Sequence, residues 1–312
     1  MLKDLYVFSL LISRVLQRYT RVTALLLTCL CGALHAETTP ADPVRAKAPG
    51  ENVPPTRVQR VKDVPPEFKV ADLKLKVGER LDYEIKVGGV PAGKSLMEVV
   101  REETWPNGAA VWRVQHFTRA NRAVSLFYGV QDKHTSVIDQ KSGFSRFFRL
   151  ELHEGDVKAD EKISMNYDIG DMKASFERLR ADGKLREYTL PLLDKVLDPL
   201  SAVYYLRSID FTKLKKNDTF VLPICTDRRV WNTLVVVDDS APIQVKDLGP
   251  RRVKLLIPQV EFRGLFERRG PMLIWVDEQT GIPLRLTSEI PIGQAEVLLE
   301  NFNEFAPFQI QK

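Results

Sequence analysis

Few residues in this chain have the type and spacing that chemistry needs. Beyond residue 36 the histidines are His116, His134 and His153, far apart and with no His-x-x-x-His spacing among them. A zinc site takes three or four converging N, S or O ligands, so no metal ligand is assigned. His116 falls in an alternating run and reads as a strand histidine rather than a ligand. Asp168-Ile-Gly-Asp171 and Asp277-Glu278 are acidic but lack the Asp/Asn ladder and closing Glu of a calcium loop. Asp277-Glu-Gln-Thr-Gly281 reads instead as a hairpin turn with Gly281 at positive φ. No Gly-x-Ser-x-Gly elbow occurs, nor a Ser-x-x-Lys with its partners. The glycine-rich stretch Gly88–Gly93 is read as a turn and not as a phosphate loop, because no helix follows it. Cys225 sits in the apolar run Val221-Leu-Pro-Ile-Cys-Thr, where burial raises a thiol pKa instead of activating it. The expectation is therefore a non-enzyme with no catalytic residue, no metal and no cofactor.

Two features remain as candidate binding surfaces. One is the aromatic set Trp112, Phe127, Tyr128, Phe147, Phe148, Tyr204, Tyr205 and Trp275; if a curved sheet wrapped round a helix and left a cavity, Trp112, Tyr204, Tyr205 and Trp275 are the candidates to hold a ligand there. The other is basic: Arg251, Arg252, Lys254, Arg263, Arg268 and Arg269, interleaved with Leu255, Leu256, Phe262, Leu265 and Phe266. Such a strand pair suits anionic headgroups or an acidic partner. The bland alternatives are core packing for the aromatics and a guarded strand edge for the cations.

The elements that must position these residues are mostly strands. Leu81-Asp-Tyr-Glu-Ile-Lys-Val87 alternates without a slip, and Lys94–Val100 returns as its hairpin partner. Val111–Thr118, Thr135–Asp139, Phe144–Leu152, Lys162–Tyr167, Lys173–Leu179 and Leu185–Leu190 follow, separated by turn residues. After one helix, strands resume at Thr219–Ile224, Thr233–Val237, Val253–Gln259, Met272–Asp277, Pro283–Ile290 and Ala295–Phe302. That helix opens at Asp198 with proline at its first position and runs to Arg207. Leu200, Val203, Tyr204 and Arg207 fall along one side, Leu206 extends the apolar stripe from Val203, and the stripe should pack on the sheet. The pattern predicts a mainly β fold: a curved antiparallel sheet, half-open or closed like a barrel, with one short packed helix.

Residues 1–36 carry Lys3, Arg14, Arg18 and Arg21, then the apolar run Val22–Ala33. This is the pattern of a secretory signal peptide, cleaved after Ala33 or Ala36. The run is shorter than the roughly 20 apolar residues a spanning helix needs. Residues 37–66 hold seven of the nineteen prolines and almost no large apolar residue, as a flexible linker does. The expected layout is a leader over 1–36, a linker over 37–66 and one β-rich domain over 67–312. Of the net charge of +5, three units fall in the leader and one in the linker. The domain itself is nearly neutral, which argues against nucleic acid as a partner.

Three segments together resemble a known bacterial envelope family. They are Val77-Gly-Glu-Arg-Leu-Asp-Tyr-Glu-Ile-Lys-Val-Gly-Gly-Val-Pro-Ala-Gly93, Asp198-Pro-Leu-Ser-Ala-Val-Tyr-Tyr-Leu-Arg207 and Leu273-Ile-Trp-Val-Asp-Glu-Gln-Thr-Gly-Ile-Pro-Leu-Arg285. In that order they resemble domain-of-unknown-function family 3108 (DUF3108). The resemblance implies an exported, β-rich, barrel-like domain of a Gram-negative bacterium, and it implies no activity, ligand or catalytic residue. The leading expectation is a periplasmic module that holds an apolar or amphipathic envelope component, a lipid or lipoprotein-like ligand, against the concave side of its sheet. The alternatives are a scaffold that contacts envelope proteins through the basic stretch, and a hydrolase built on a carboxylate pair or an exposed Cys225.

Overall fold

The computed structural model describes residues 73–180, 183–246, 248–259, 272–290 and 293–303. The leader, the linker, and Arg263, Arg268 and Arg269 lie outside the described residues. Period-two alternation becomes an antiparallel meander, as expected. Its first half is β1 (Arg80–Val87), β2 (Val90–Thr104), β3 (Ala110–Ala120), β4 (Gln131–Asp139), β5 (Ser145–Glu154), β6 (Val157–Asn166), β7 (Lys173–Arg180) and β8 (Leu185–Pro191). Its second half is β9 (Thr219–Thr226), β10 (Arg229–Asp239), β13 (Val253–Gln259), β14 (Leu273–Asp277), β15 (Pro283–Ile290) and β16 (Gly293–Asn303). Two short strands, β11 (Ile243–Val245) and β12 (Gly249–Arg251), pair separately. A one-turn helix α1 (Arg122–Ser125) sits between β3 and β4, and α2 (Pro199–Tyr205) between β8 and β9.

The fourteen-stranded sheet runs β8-β7-β6-β5-β4-β3-β2-β1-β16-β15-β14-β13-β10-β9. The first and last strands pair in its middle, which leaves β8 and β9 as the two edges. Register shifts at Asp82/Tyr83, Val99/Arg101, Val137/Ile138 and Trp275/Val276 mark bulges, and each adds local twist and bend. The sheet curls without closing its ladder. The chain just before α2 bridges the gap instead: Val196 O accepts from Ser145 N of β5, while Leu197 exchanges bonds with Pro223 O and Cys225 N of β9.

Helix α2 is fixed inside this curl by its first residue. Asp198 accepts from Leu200 N at 2.8 Å and Ser201 N at 2.9 Å, and Ser201 Oγ accepts from Asp198 N, a complete capping box. The same carboxyl accepts from Ser136 Oγ of β4 and Ser145 Oγ of β5, which ties the cap to the sheet. Leu200, Val203, Tyr204 and Leu206 are buried as the stripe predicts, each contributing about 1.5–3 kcal/mol of apolar burial. Just past the helix, Arg207 donates to both oxygens of Glu79, and Nη2 lies 2.8 Å from Oε2. Gly281 packs on this segment at φ 66°, and a Cβ there would come within 2.7 Å of Leu206 O.

The β1–β2 connection differs from the expected six-residue turn. Only Gly88 and Gly89 turn, and Val90–Gly93 already belong to β2. Gly93 is a strand glycine, because a Cβ would lie 2.5 Å from Arg119 O on the neighbouring strand. Gly88 and Gly93-Lys94-Ser95 also carry the letters of a phosphate loop, Gly-x₄-Gly-Lys-Ser. The structure removes that chemistry: Lys94 pairs with Glu300 on the surface, and Ser95 is buried on His116.

Candidate functional site

The outward residues of β2–β6 form a cleft of about 390 Å³ on the convex face of the sheet. Alternation puts Trp112, Val114 and His116 inward, so Arg113 and Gln115 point out, as do Lys133 and Thr135 on β4 and Phe147 and Arg149 on β5. Arg101 of β2, Lys162 of β6 and Trp105 of the β2–β3 turn complete the wall, with Glu151 its one carboxylate. Trp105 and Phe147 approach with centroids 6.5 Å apart. Five cations and two aromatic rings thus share one depression.

The acids around the cleft hold its cations in place. Glu103 accepts from Arg101 Nε at 2.7 Å and from Arg113 Nε at 3.2 Å. Burial alone would raise its pKa, but the two guanidinium groups outweigh that and lower it. Asp160 takes both Nε and Nη2 of Arg149, at 2.9 and 2.7 Å, which holds its own carboxyl below the usual range. Lys133 lies 4.0 Å from Glu151 and 5.5 Å from the Phe117 ring centre. The guanidinium groups are partly exposed, Arg101 most and Arg113 least, and oriented, which suits a carboxylate or phosphate oxygen. The rings beside them suit an apolar or planar group.

A second polar group lies within the curl, on the inward faces of β3, β4 and β5. His116 and His134 stack at 5.0 Å with Nδ1 atoms 3.0 Å apart, and Ser95 Oγ lies 2.8 Å from His116 Nε2. Burial keeps both rings neutral, with His134 lowered to about 3 and His116 also well down. Two residues along β4, Asp132 is buried beside Glu154, with which it hydrogen-bonds. Two carboxyl groups can do so only by sharing a proton, and burial accordingly raises Asp132. Tyr128 Oη donates to Glu154 at 3.3 Å and covers the pair. This group can hold protons but is shut off from substrate.

Of the aromatic set Phe147 lines the cleft, while the four ligand-binding candidates stand in separate surroundings. Trp112 is buried with Nε1 on Glu102 Oε1, and Tyr204 is core. Tyr205 is half-buried against Phe144, and Trp275 lies under Arg285 with Nε1 on Ser240 Oγ. In the basic stretch every described member faces an acid: Arg251 with Asp277, Arg252 with Glu278, and Lys254 with Asp239. Cys225 is fully buried, and burial pushes its thiol up to about 12. The sequence reading missed the cleft, the histidine pair and the carboxyl pair. The alternation of Arg113, Gln115, Lys133 and Arg149 was a signal for the cleft, but placing them side by side requires the strand register. Among the described residues no group of three His, Cys, Asp or Glu could hold a metal ion, and no helix is long and apolar enough to cross a membrane.

The family model described as "Protein of unknown function (DUF3108)" matches residues 82–300. No curated protein matches the sequence. Solved structures that resemble the chain include a β-barrel-like protein of domain of unknown function DUF1849 from Brucella abortus, 12% identical, TM-score 0.45, covering 74% of this chain and 99% of that one. A protein described as exported, with a YmcC-like fold, from Bacteroides fragilis is 8% identical, TM-score 0.35, with 75% and 99% covered. One described as a lipoprotein from Parabacteroides distasonis is 9% identical, TM-score 0.34, with the same coverage.

Proposed function

The chain belongs to the DUF3108 family, and from that membership we propose that it is an exported, non-catalytic binding module of the periplasm. Its ligand is an anionic amphiphile of the cell envelope, held in the convex cleft. One observation carries this reading: Arg101, Arg113, Lys133, Arg149 and Lys162 surround the Trp105–Phe147 pair in a depression of about 390 Å³. That volume falls in the range of small-molecule sites, roughly 300–1,000 Å³. The anionic group meets the guanidinium N–H groups that Arg113 and Arg149 do not spend on Glu103 and Asp160, and the apolar part lies along the rings. The leader pattern of residues 1–36 supports export. A concave-side ligand has less support, since α2 and its buried contacts occupy that side. The scaffold alternative draws no added support: Arg251, Arg252 and Lys254 pair with acids just as the cleft cations do, and Arg263, Arg268 and Arg269 lie outside the described residues.

Gentle purification followed by native mass spectrometry and lipid extraction tests the proposal. The expected result is a co-purifying anionic amphiphile whose occupancy falls in the Arg113→Ala/Arg149→Ala variant. Protein that is reproducibly empty and takes up no anionic amphiphile would overturn it.

A further inference from the structure

We infer that one end of the sheet is a docking tip for an anionic lipid surface. Large apolar side chains are out in solvent there: Leu126 is 77% exposed, Val90 66% and Phe127 64%. Scattered exposed apolar residues are ordinary, but these share one end of the molecule. Val90 opens β2 just after the β1–β2 turn, and the β3–β4 loop carries Leu126 and Phe127. The two are joined, because Asn121 donates from Nδ2 to Pro91 O at 2.6 Å and from its backbone N to Ala92 O at 2.8 Å.

The loop is held in this shape from both sides. Asn121 Oδ1 caps α1 by accepting from Val124 N at 2.9 Å. Tyr128, the residue after Phe127, is buried with its hydroxyl on Glu154, and Gly129 O accepts from Gly155 N of the next turn. Between these anchors Leu126 and Phe127 stay mostly exposed, although burying either is favourable. A loop that presents two such side chains outward at fixed positions is preorganised to bury them in something else.

Charge complementarity identifies that partner as lipid. Arg119 and Arg122 flank the tip, exposed and without an acid partner among the described residues. Lys158 is exposed at the start of β6, and Asp156 of the adjoining β5–β6 turn is the acid beside it. Apolar and aromatic side chains ringed by Arg and Lys match the boundary between acyl chains and anionic headgroups. The inference does not depend on the cleft, because a tip can dock whether or not the cleft is occupied.

The test is co-sedimentation of the full chain with vesicles of phosphatidylethanolamine and phosphatidylglycerol, beside vesicles of phosphatidylcholine alone. All variants keep the same amino-terminal segment, so its contribution cancels. Leu126→Ser/Phe127→Ser is expected to weaken binding to the anionic vesicles by roughly tenfold or more. Arg119→Glu/Arg122→Glu is expected to weaken it by a similar factor and to leave binding to phosphatidylcholine unchanged. These side chains are exposed, so the thermal unfolding midpoint should hold in both variants. In a Phe127→Trp variant, a brominated lipid should quench additional emission relative to the parent. Parent-like vesicle binding by the Leu126/Phe127 variant, or no added quenching in Phe127→Trp, would overturn the inference.

Discussion

At the residue scale the inward face of β4 carries unusual pH chemistry for a structural strand. Neutral His116 and His134 bind no proton in the folded chain across a range where the unfolded chain does, from about 3 for His134 up to the ordinary 6.5. The unfolded state therefore binds more protons there, and stability falls as pH drops through that window. Asp132 acts in the opposite sense. Its folded pKa rises from 3.8 to about 6, so it favours the folded state at low pH and loses that contribution as pH climbs between those values. Each group changes stability by about 1.4 kcal/mol per pH unit inside its window. With two histidines against one carboxyl, net stability should decline from pH 6.5 to 4. Asp132→Asn keeps the acceptor for His153 N and removes the opposing group. Denaturant unfolding should find the variant more stable than the parent at pH 7.5, by about 1–3 kcal/mol, and steeper in its loss toward pH 4.5. Equal stability at pH 7.5 would show that burial does not raise the Asp132 carboxyl in the folded chain.

At the element scale α2 is held by its ends. Asp198 unites a helix cap with hydroxyls from β4 and β5, and Gly281 lets the β14–β15 turn press on the residues after the helix. Asp198→Ala removes the cap and leaves buried Ser136 and Ser145 hydroxyls without their acceptor, at an expected cost of about 2–4 kcal/mol. Gly281→Ala forces a Cβ against Leu206 O at positive φ, and should cost at least about 1–2 kcal/mol. Urea unfolding checks both, and a change within about 0.5 kcal/mol for either would contradict this description. Much of this element was legible in the sequence. Asp198 followed by proline announced the cap, and Leu200, Val203 and Tyr204 announced the buried stripe. The Ser136 and Ser145 bonds were not legible, because they depend on where two distant strands place their inward hydroxyls. The turn at Gly88 misled for a related reason: Gly93 looks like a turn glycine, yet its need arises from Arg119 O on another strand.

At the scale of the whole molecule, alternation specified the strands and their wet faces, while register decided what those faces assemble. His116 and His134 are eighteen positions apart in sequence yet directly paired across β3 and β4. The cleft has the same origin, since its lining comes from five strands and one turn. The outward face of β3 runs from Arg113 and Gln115 in the cleft through Phe117 to Arg119 beside the exposed tip. The molecule thus presents an anion-binding depression and an apolar end on one continuous strand face. The central claim is that the depression binds anionic amphiphiles through Arg113 and Arg149. Its most direct test is calorimetric titration of the purified chain with dodecyl phosphate, and with uncharged dodecyl maltoside as control. Dodecyl phosphate should bind in preference to the maltoside, and about tenfold or more weakly to Arg113→Ala/Arg149→Ala. Equal affinity of parent and variant for dodecyl phosphate, or no binding by the parent, would contradict it.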